Sequence, residues 1–432
     1  MILFLACTEL PSERQWLQEQ FVKDNLIWVS RDSELLEAKF KEMASSSYAY
    51  MRGSLAVHLA DATRVRSGRE HSTFLNSPQS VAHLQLGDPH LENLSVYWTK
   101  SQGSVEWSDL DAVSFLPWNW DVRRSGLSLM LISDYTGCSC GVELVDKLLD
   151  GYFEALNEDS KPFEEARFLR ELLDEAEEEG LEQKKLHKYT SEGAFVLDEI
   201  LSEEGKGLFK LSAEEHKQCL RLWSSLDVQG QILDCARRYG MGVSSRPALR
   251  YAVLFEDSDQ IQHMILIREV MDPPAALQLS PVWSSNVDRI ESNQWIWSNV
   301  NADPFYLGVE DGDVDFKSVS WSSKVQAVDR DKILEAWQEG ELSKSELQDL
   351  AKAMGVMLAQ THQKVPNING LSGTELMKDY VQEGGGEVLF QEQTHQVIIS
   401  DHSRTLLHYA LFTDLLQEQG SLLGMDALWS LP

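Results

Sequence analysis

The chain has 432 residues, with 38 Lys or Arg against 69 Asp or Glu, a net charge of −31. A surface this acidic repels nucleic-acid phosphates and anionic lipid heads, so neither is an expected main partner. Apolar residues make up 43%, enough for two or three packed units and too many for wholesale disorder. The cysteines are Cys7, Cys138, Cys140, Cys219 and Cys235. An odd count in a long chain argues against a disulfide framework, and Cys138 and Cys140 read as separate thiols. No apolar run approaches the ~20 residues of a membrane span. Met1–Cys7 is too short for a signal and reads as a strand or loose terminus, so the cytoplasm is the expected compartment.

In chain order, residues 11–45 read as polar helix, broken at Ser45-Ser46-Ser47. Val81–Leu86 is a short apolar stretch ahead of a loop punctuated by Gly87 and Pro89. Leu94–Trp98 and Val105–Trp107 read as two strands joined at Gly103, a hairpin between two acidic loops. A buried helix follows at Leu127–Ile132, and residues 142–236 read as mostly helical, including a charge-rich helix at Glu164–Lys185. Ser212-Ala-Glu-Glu215 has the form of a capping box opening a helix towards Arg238. Strand-like runs follow at Leu249–Phe255, His263–Val270 and Asp303–Val309, and from Asp329 the pattern is helical again, notably at Ser343–His362. The expected organisation is α+β. Residues 1–236 and 326–432 form a mainly helical large lobe, and residues 237–325 form a small antiparallel sheet lobe.

Chemistry concentrates between Gly87 and Asp111. Asp88 lies five residues before Asn93, and the hairpin returns Asp109 and Asp111 towards them. Phosphoryl transfer needs a carboxylate near the attacking hydroxyl and hard oxygen ligands for magnesium. Asp88 suits the first task; Asn93, Asp109 and Asp111 suit the second, with His90 as a further candidate in the catalytic loop. A capped turn would use the same residue types, since Asp and Asn favour turns for local reasons.

Gly87-Asp88-Pro89-His90-Leu91-Glu92-Asn93 resembles the Gly-Asp-x-His-x-x-Asn loop of aminoglycoside and choline kinases. That resemblance implies a protein-kinase-like two-lobe fold, with Asp109 as the metal aspartate and Trp120-Asp121 as the later brace of the loop. It also implies ATP with Mg2+ or Mn2+ and a small-molecule acceptor. The chain as a whole, over roughly residues 40–410, resembles the bacterial domain of unknown function 2252. The carrying segments are Lys41–Gly53, Gly87–Asn93, Asp109–Asp111, Pro117–Arg124, Tyr239–Gly242, Leu266–Glu269 and Gly355–His362.

In ordinary kinases the Gly-rich loop and the strand lysine precede the catalytic loop. Here the matching candidates, Gly240, Gly242, Ser244, Arg268 and Glu269, follow it, which implies a circularly permuted order. Arg268 stands where those kinases have lysine, and its planar fork is not equivalent to an ammonium. Arg52, Arg123 and Arg124 are read as structural support, Arg52 by pairing with Asp61, and His362 as a satisfied core histidine. Two other readings stay open. One is a pseudokinase-like protein that binds a nucleotide or a protein partner without turnover. The other is a metal-dependent hydrolase using Asp88, His90, Asp109 and Asp111.

Overall fold

Asp32 both ends the first helix and caps the second, so the N-terminal helical stretch is two helices, α1 (Glu13–Arg31) and α2 (Ser33–Met43). The computed structural model describes residues 12–64, 82–99, 102–157, 166–177, 181–202, 206–240, 242–273, 283–292, 296–297, 303–322 and 325–426. The Met1–Cys7 reading lies outside them. Short helices α3 (Ser47–Gly53) and α4 (Leu55–Thr63) lead towards β1 (Ala82–Gln85). A 3-10 turn at Leu91–Asn93 opens the expected hairpin, β2 (Leu94–Thr99) and β3 (Gln102–Trp107). β4 (Ser114–Pro117) then returns antiparallel to β1 and brackets the acidic segment.

Helices α5 (Trp120–Thr136), α6 (Gly141–Asn157), α7 (Arg167–Glu177) and α8 (Leu181–Tyr189) follow. The charge-rich helix is thus read as two, with residues 178–180 outside the described set. A minimal hairpin, β5 (Thr190–Ser191) and β6 (Ala194–Phe195), precedes β7 (Gly207–Phe209). The capping box at Ser212 is formed and opens α9 (Ala213–Ser225). That helix does not run on to Arg238: the chain turns at Ser225 into β8 (Gln231–Tyr239). β9 (Arg250–Glu256), β10 (Gln262–Val270), α10 (Asn286–Ser292), β11 (Leu307–Asp311) and β12 (Val314–Ser320) complete the sheet region.

The sheet has six antiparallel strands in the order β11-β12-β10-β9-β8-β7, so it starts well before residue 237. Its side chains alternate between two cores. Cys219, Leu222, Tyr251, Val253, Phe255, Ile265 and Ile267 pack on the α9 side, and Ala252, Leu254, Met264, Leu266 and Trp321 on the other. β13 (Val325–Ala327) leaves the sheet to pair with β2, joining the two parts of the molecule. Helices α11 (Arg330–Gln338), α12 (Lys344–Lys364), α13 (Thr374–Glu383) and α14 (Glu387–Gln419) close the helical part. The fold is α+β, as expected.

One cysteine pair corrects the thiol reading, and the other stays as free thiols. Gly137 and Ser139 both take left-handed backbone, bringing Cys138 and Cys140 to a Cα separation of 5.3 Å in a disulfide. Cys219 and Cys235 are buried between α9 and β8 with sulfurs 3.1 Å apart. No helix among the described residues is long and apolar enough to cross a membrane.

Candidate functional site

One face of α5 builds the Asp88 loop. Asp121, Arg124, Ser125 and Ser128 fall at helical spacing, so their side chains line up along the helix. The Asp121 carboxylate accepts from Leu86 N at 2.7 Å and Gly87 N at 2.9 Å. Arg124 Nε donates to Asp88 Oδ1 at 2.7 Å, Ser125 Oγ donates to the Pro89 carbonyl, and Leu91 N donates to Ser128 Oγ. Trp120 Nε1 reaches back to the Gly87 carbonyl at 2.9 Å. Five backbone groups of the loop therefore end on one helix. Asp121 is fully buried, and His362 Nε2 lies 3.3 Å from it while His362 Nδ1 meets the Tyr152 hydroxyl at 2.9 Å. His362 has the two partners of a core histidine.

Within the loop, Asn93 Nδ2 donates to the Asp88 carbonyl at 2.8 Å, which fixes the amide plane and directs its nitrogen, not its oxygen, to the protein. Burial raises the Asp88 carboxyl above its usual range, and Arg124 opposes that rise. His90 Nε2 stands 3.9 Å from Asp88 Oδ2, and His90 Nδ1 is buried without a partner among the described residues. Burial, with Arg52, Arg124 and Arg330 nearby, holds its pKa well below the ordinary histidine value, so His90 is neutral.

Arg124 continues inward. Its Nη1 donates to His58 Nδ1 at 3.0 Å, and its Nη2 to the Met51 carbonyl at 2.8 Å. His58 Nε2 in turn faces Asp401, which also binds Arg123 and Arg404, while Arg404 holds Asp61. With Nδ1 accepting, His58 carries its proton on Nε2. This corrects the pairing of Arg52 with Asp61: Arg52 instead meets Glu92 at 2.8 Å. Arg123 reaches Asp401 and not the acidic loop.

The second half of the site comes from the sheet. Arg250, Arg268 and Lys317 are register neighbours on β9, β10 and β12, so three cations stand side by side on one face. Like charges directly opposite one another are destabilising unless something neutralises them. Here Asp109 and Asp111 do so. Arg268 Nη2 donates to Asp109 at 2.7 Å and to Asp111, and Lys317 Nζ pairs with Asp111 and lies 3.9 Å from Asp109. Burial would raise the Asp109 carboxyl, but Arg268 and Lys317 outweigh it and hold the group far below the usual carboxylate range. Burial lowers the Lys317 ammonium and the adjacent Arg268 lowers it further, against the pull of both aspartates. Arg250 Nε and Nη1 and Arg268 Nε are buried without partners among the described residues.

Glu269 does not join this group. It follows Arg268 on the strand and so points to the other face, where it binds Arg31 at 2.7 Å and Leu249 N at 3.0 Å. Gly240 and Gly242 have φ of 76° and 70°, the left-handed turn that glycine permits. Ser244 is exposed, and its neighbour Ser245 is the residue that accepts from Arg250, at 2.8 Å through its hydroxyl.

Lys317 and Arg250 are the cations of this row that sequence reasoning missed. Asp311-Gly312 followed by alternating Val314-Asp-Phe-Lys-Ser-Val carries a hairpin signal that would have found the Lys317 strand. Ser125 and Ser128 were legible from helical spacing after Asp121. A further acidic group, Glu13, Asp61 and His408, gathers near α14, but His408 and Arg64 already meet Glu13 at 2.8 and 3.0 Å, and Arg404 meets Asp61.

Fold and site together define an α+β protein in which an antiparallel sheet presents a row of cations to the acidic end of a helix-braced loop. Residues 31–384 match the family described as uncharacterized protein conserved in bacteria (DUF2252), and the chain belongs to that family. No curated protein and no solved structure matches it.

Proposed function

We propose that this protein is a phosphotransferase of kinase-like type, using magnesium-ATP and a small-molecule acceptor. The single observation that carries the reading is the opposition of Asp109 and Asp111 to Arg268 and Lys317, beside a loop whose Asn93 is tethered to the Asp88 carbonyl. Asn93 and the two aspartates are hard oxygen donors that fit magnesium or manganese. The buried, partnerless nitrogens of Arg250 and Arg268 fit phosphate oxygens. A bound divalent ion would neutralise charge on the phosphates. Asp88 would orient the acceptor hydroxyl and take its proton, Arg124 would hold the carboxylate in place, and Lys317 would stand in for the strand lysine. Asp109 and Asp111 precede the sheet in sequence, yet Arg268 and Lys317 reach them in space, which supports a permuted kinase-like order. The reading sets the protein in the cytoplasm, where ATP is supplied.

The experiment is magnesium-dependent ATP turnover over a panel of small hydroxyl and amine acceptors. Asp88→Ala and Asp109→Ala should each reduce turnover by about 100-fold or more. Turnover that survives both substitutions would sink the reading. One observation favours a second reading, nucleotide binding without chemistry: Asp109 and Asp111 are both already held by cations. A magnesium-ATP thermal shift with no turnover for any acceptor would select it.

A further inference from the structure

Five basic side chains converge on a second cleft, of about 560 Å³, beside the Asp88 loop. Arg52 enters it from α3, Lys184, Lys185 and Lys188 from α8, and Lys332 from α11. A chain with a net charge of −31 has no general surplus of cations to place there. Two acidic residues also line the cleft, and both are committed to protein groups. Glu92 binds Arg52 at 2.8 Å, and Asp329 caps α11 by accepting from Asp331 N and Lys332 N. Lys332 also lies 3.9 Å from Glu175 and Arg52 pairs with Glu92, so the excess positive charge inside the cleft is carried by Lys185 and Lys188.

Lys185 sharpens the point. It is partly buried, it donates to the Ser322 carbonyl at 3.1 Å, and its pKa falls to about 8 through burial, then through Arg238 and Lys188. Cations crowded in this way repel one another until an anion enters. Arg52 Nε is buried without a partner among the described residues. The volume suits a small metabolite, since ligand clefts run to roughly 300–1,000 Å³. The position is also telling. Glu92 adjoins Asn93, and the cleft wall at Val325–Ala327 is the strand that pairs with β2.

We infer that this cleft binds a phosphate-bearing small molecule through Arg52 and the lysines of α8 and α11. If the phosphotransfer reading holds, the bound molecule is the acceptor; that role rests on the reading, whereas the binding does not.

The test is calorimetric titration of the full chain with inorganic pyrophosphate, without magnesium or nucleotide, with citrate as a carboxylate comparison. The variants are Lys184→Ser/Lys188→Ser/Lys332→Ser, the single change Lys188→Glu, Arg268→Met, and Lys217→Ser. The triple change should weaken pyrophosphate binding at least tenfold and Lys188→Glu at least threefold, with Lys217→Ser, an exposed lysine of α9 outside both sites, within twofold of the parent. Lys188 is exposed, so the single change reads the cleft even if the triple variant folds poorly. No binding at millimolar pyrophosphate would overturn the inference. So would binding lost only in Arg268→Met, which would put the anion between the sheet and Asp109, or citrate bound more tightly than pyrophosphate. A failed turnover assay would leave a positive titration standing, so the two failures are separable.

Discussion

Lys317 shows how one side chain completes a charge balance. Its side chain is 1% exposed, and its ammonium lies between two carboxylates and a neighbouring guanidinium. Lys317→Met keeps the length and apolar stem and leaves Asp111 to Arg268 alone. The expected result is a nucleotide affinity at least tenfold weaker, read by titration with magnesium and a non-hydrolysable ATP analogue, with a stability loss of about 1–3 kcal/mol. Gly87 is the corresponding backbone case. Its φ is 81°, and a Cβ there would be driven into the Ala112 carbonyl. Gly87→Ala should cost about 3 kcal/mol in denaturant unfolding, from left-handed strain and the clash together. A loss under 1 kcal/mol would show that the turn relaxes easily.

At the scale of elements, α5 and the α6–α12 pair do most of the positioning. α12 carries His362 to Asp121, and α6 carries Tyr152 to His362. The two helices approach closely because Gly151 faces the Lys352 carbonyl and Gly355 faces the Leu148 carbonyl, where any Cβ would collide. Gly355→Ala should push the helices apart and lower the melting temperature by several degrees, although alanine is the better helix former in isolation. An unchanged or raised melting temperature would mean that propensity outweighs packing there.

The whole molecule should show its buried histidines in its pH response. His58 is held at a pKa of about 4 and His83 at about 3, in both cases chiefly by burial, against an ordinary value of 6.5. Between these values the unfolded chain binds more protons than the folded one, so this contribution to stability is present above pH 6.5 and is lost as the pH falls towards 4. Relief of the net charge of −31 acts in the opposite direction but is common to the parent and its variants. His58→Gln keeps an acceptor for Arg124 and a donor for Asp401. Its melting temperature should therefore fall less steeply than the parent's between pH 7 and 4.5. Parallel curves would show that His58 does not carry the effect.

Local features of this protein were legible in its sequence because they depend on neighbours along the chain. The Asp88–Asn93 spacing, the hairpin to Asp109 and the cap at Ser212 each follow from a short motif and its turn, strand or helix geometry, and the Asp121 brace follows from the resemblance of its motif. The end of α9 at Ser225 and the strand around Lys317 were also written locally, in signals that compete with helical patterning and a short loop. The rest needed the tertiary structure. Which cation meets Asp111, which acid meets Arg52, and the path from Asp88 through Arg124 and His58 to Asp401 are set by how distant segments pack. A buried charge takes the partner that packing brings within reach, and no periodicity in the chain encodes that choice.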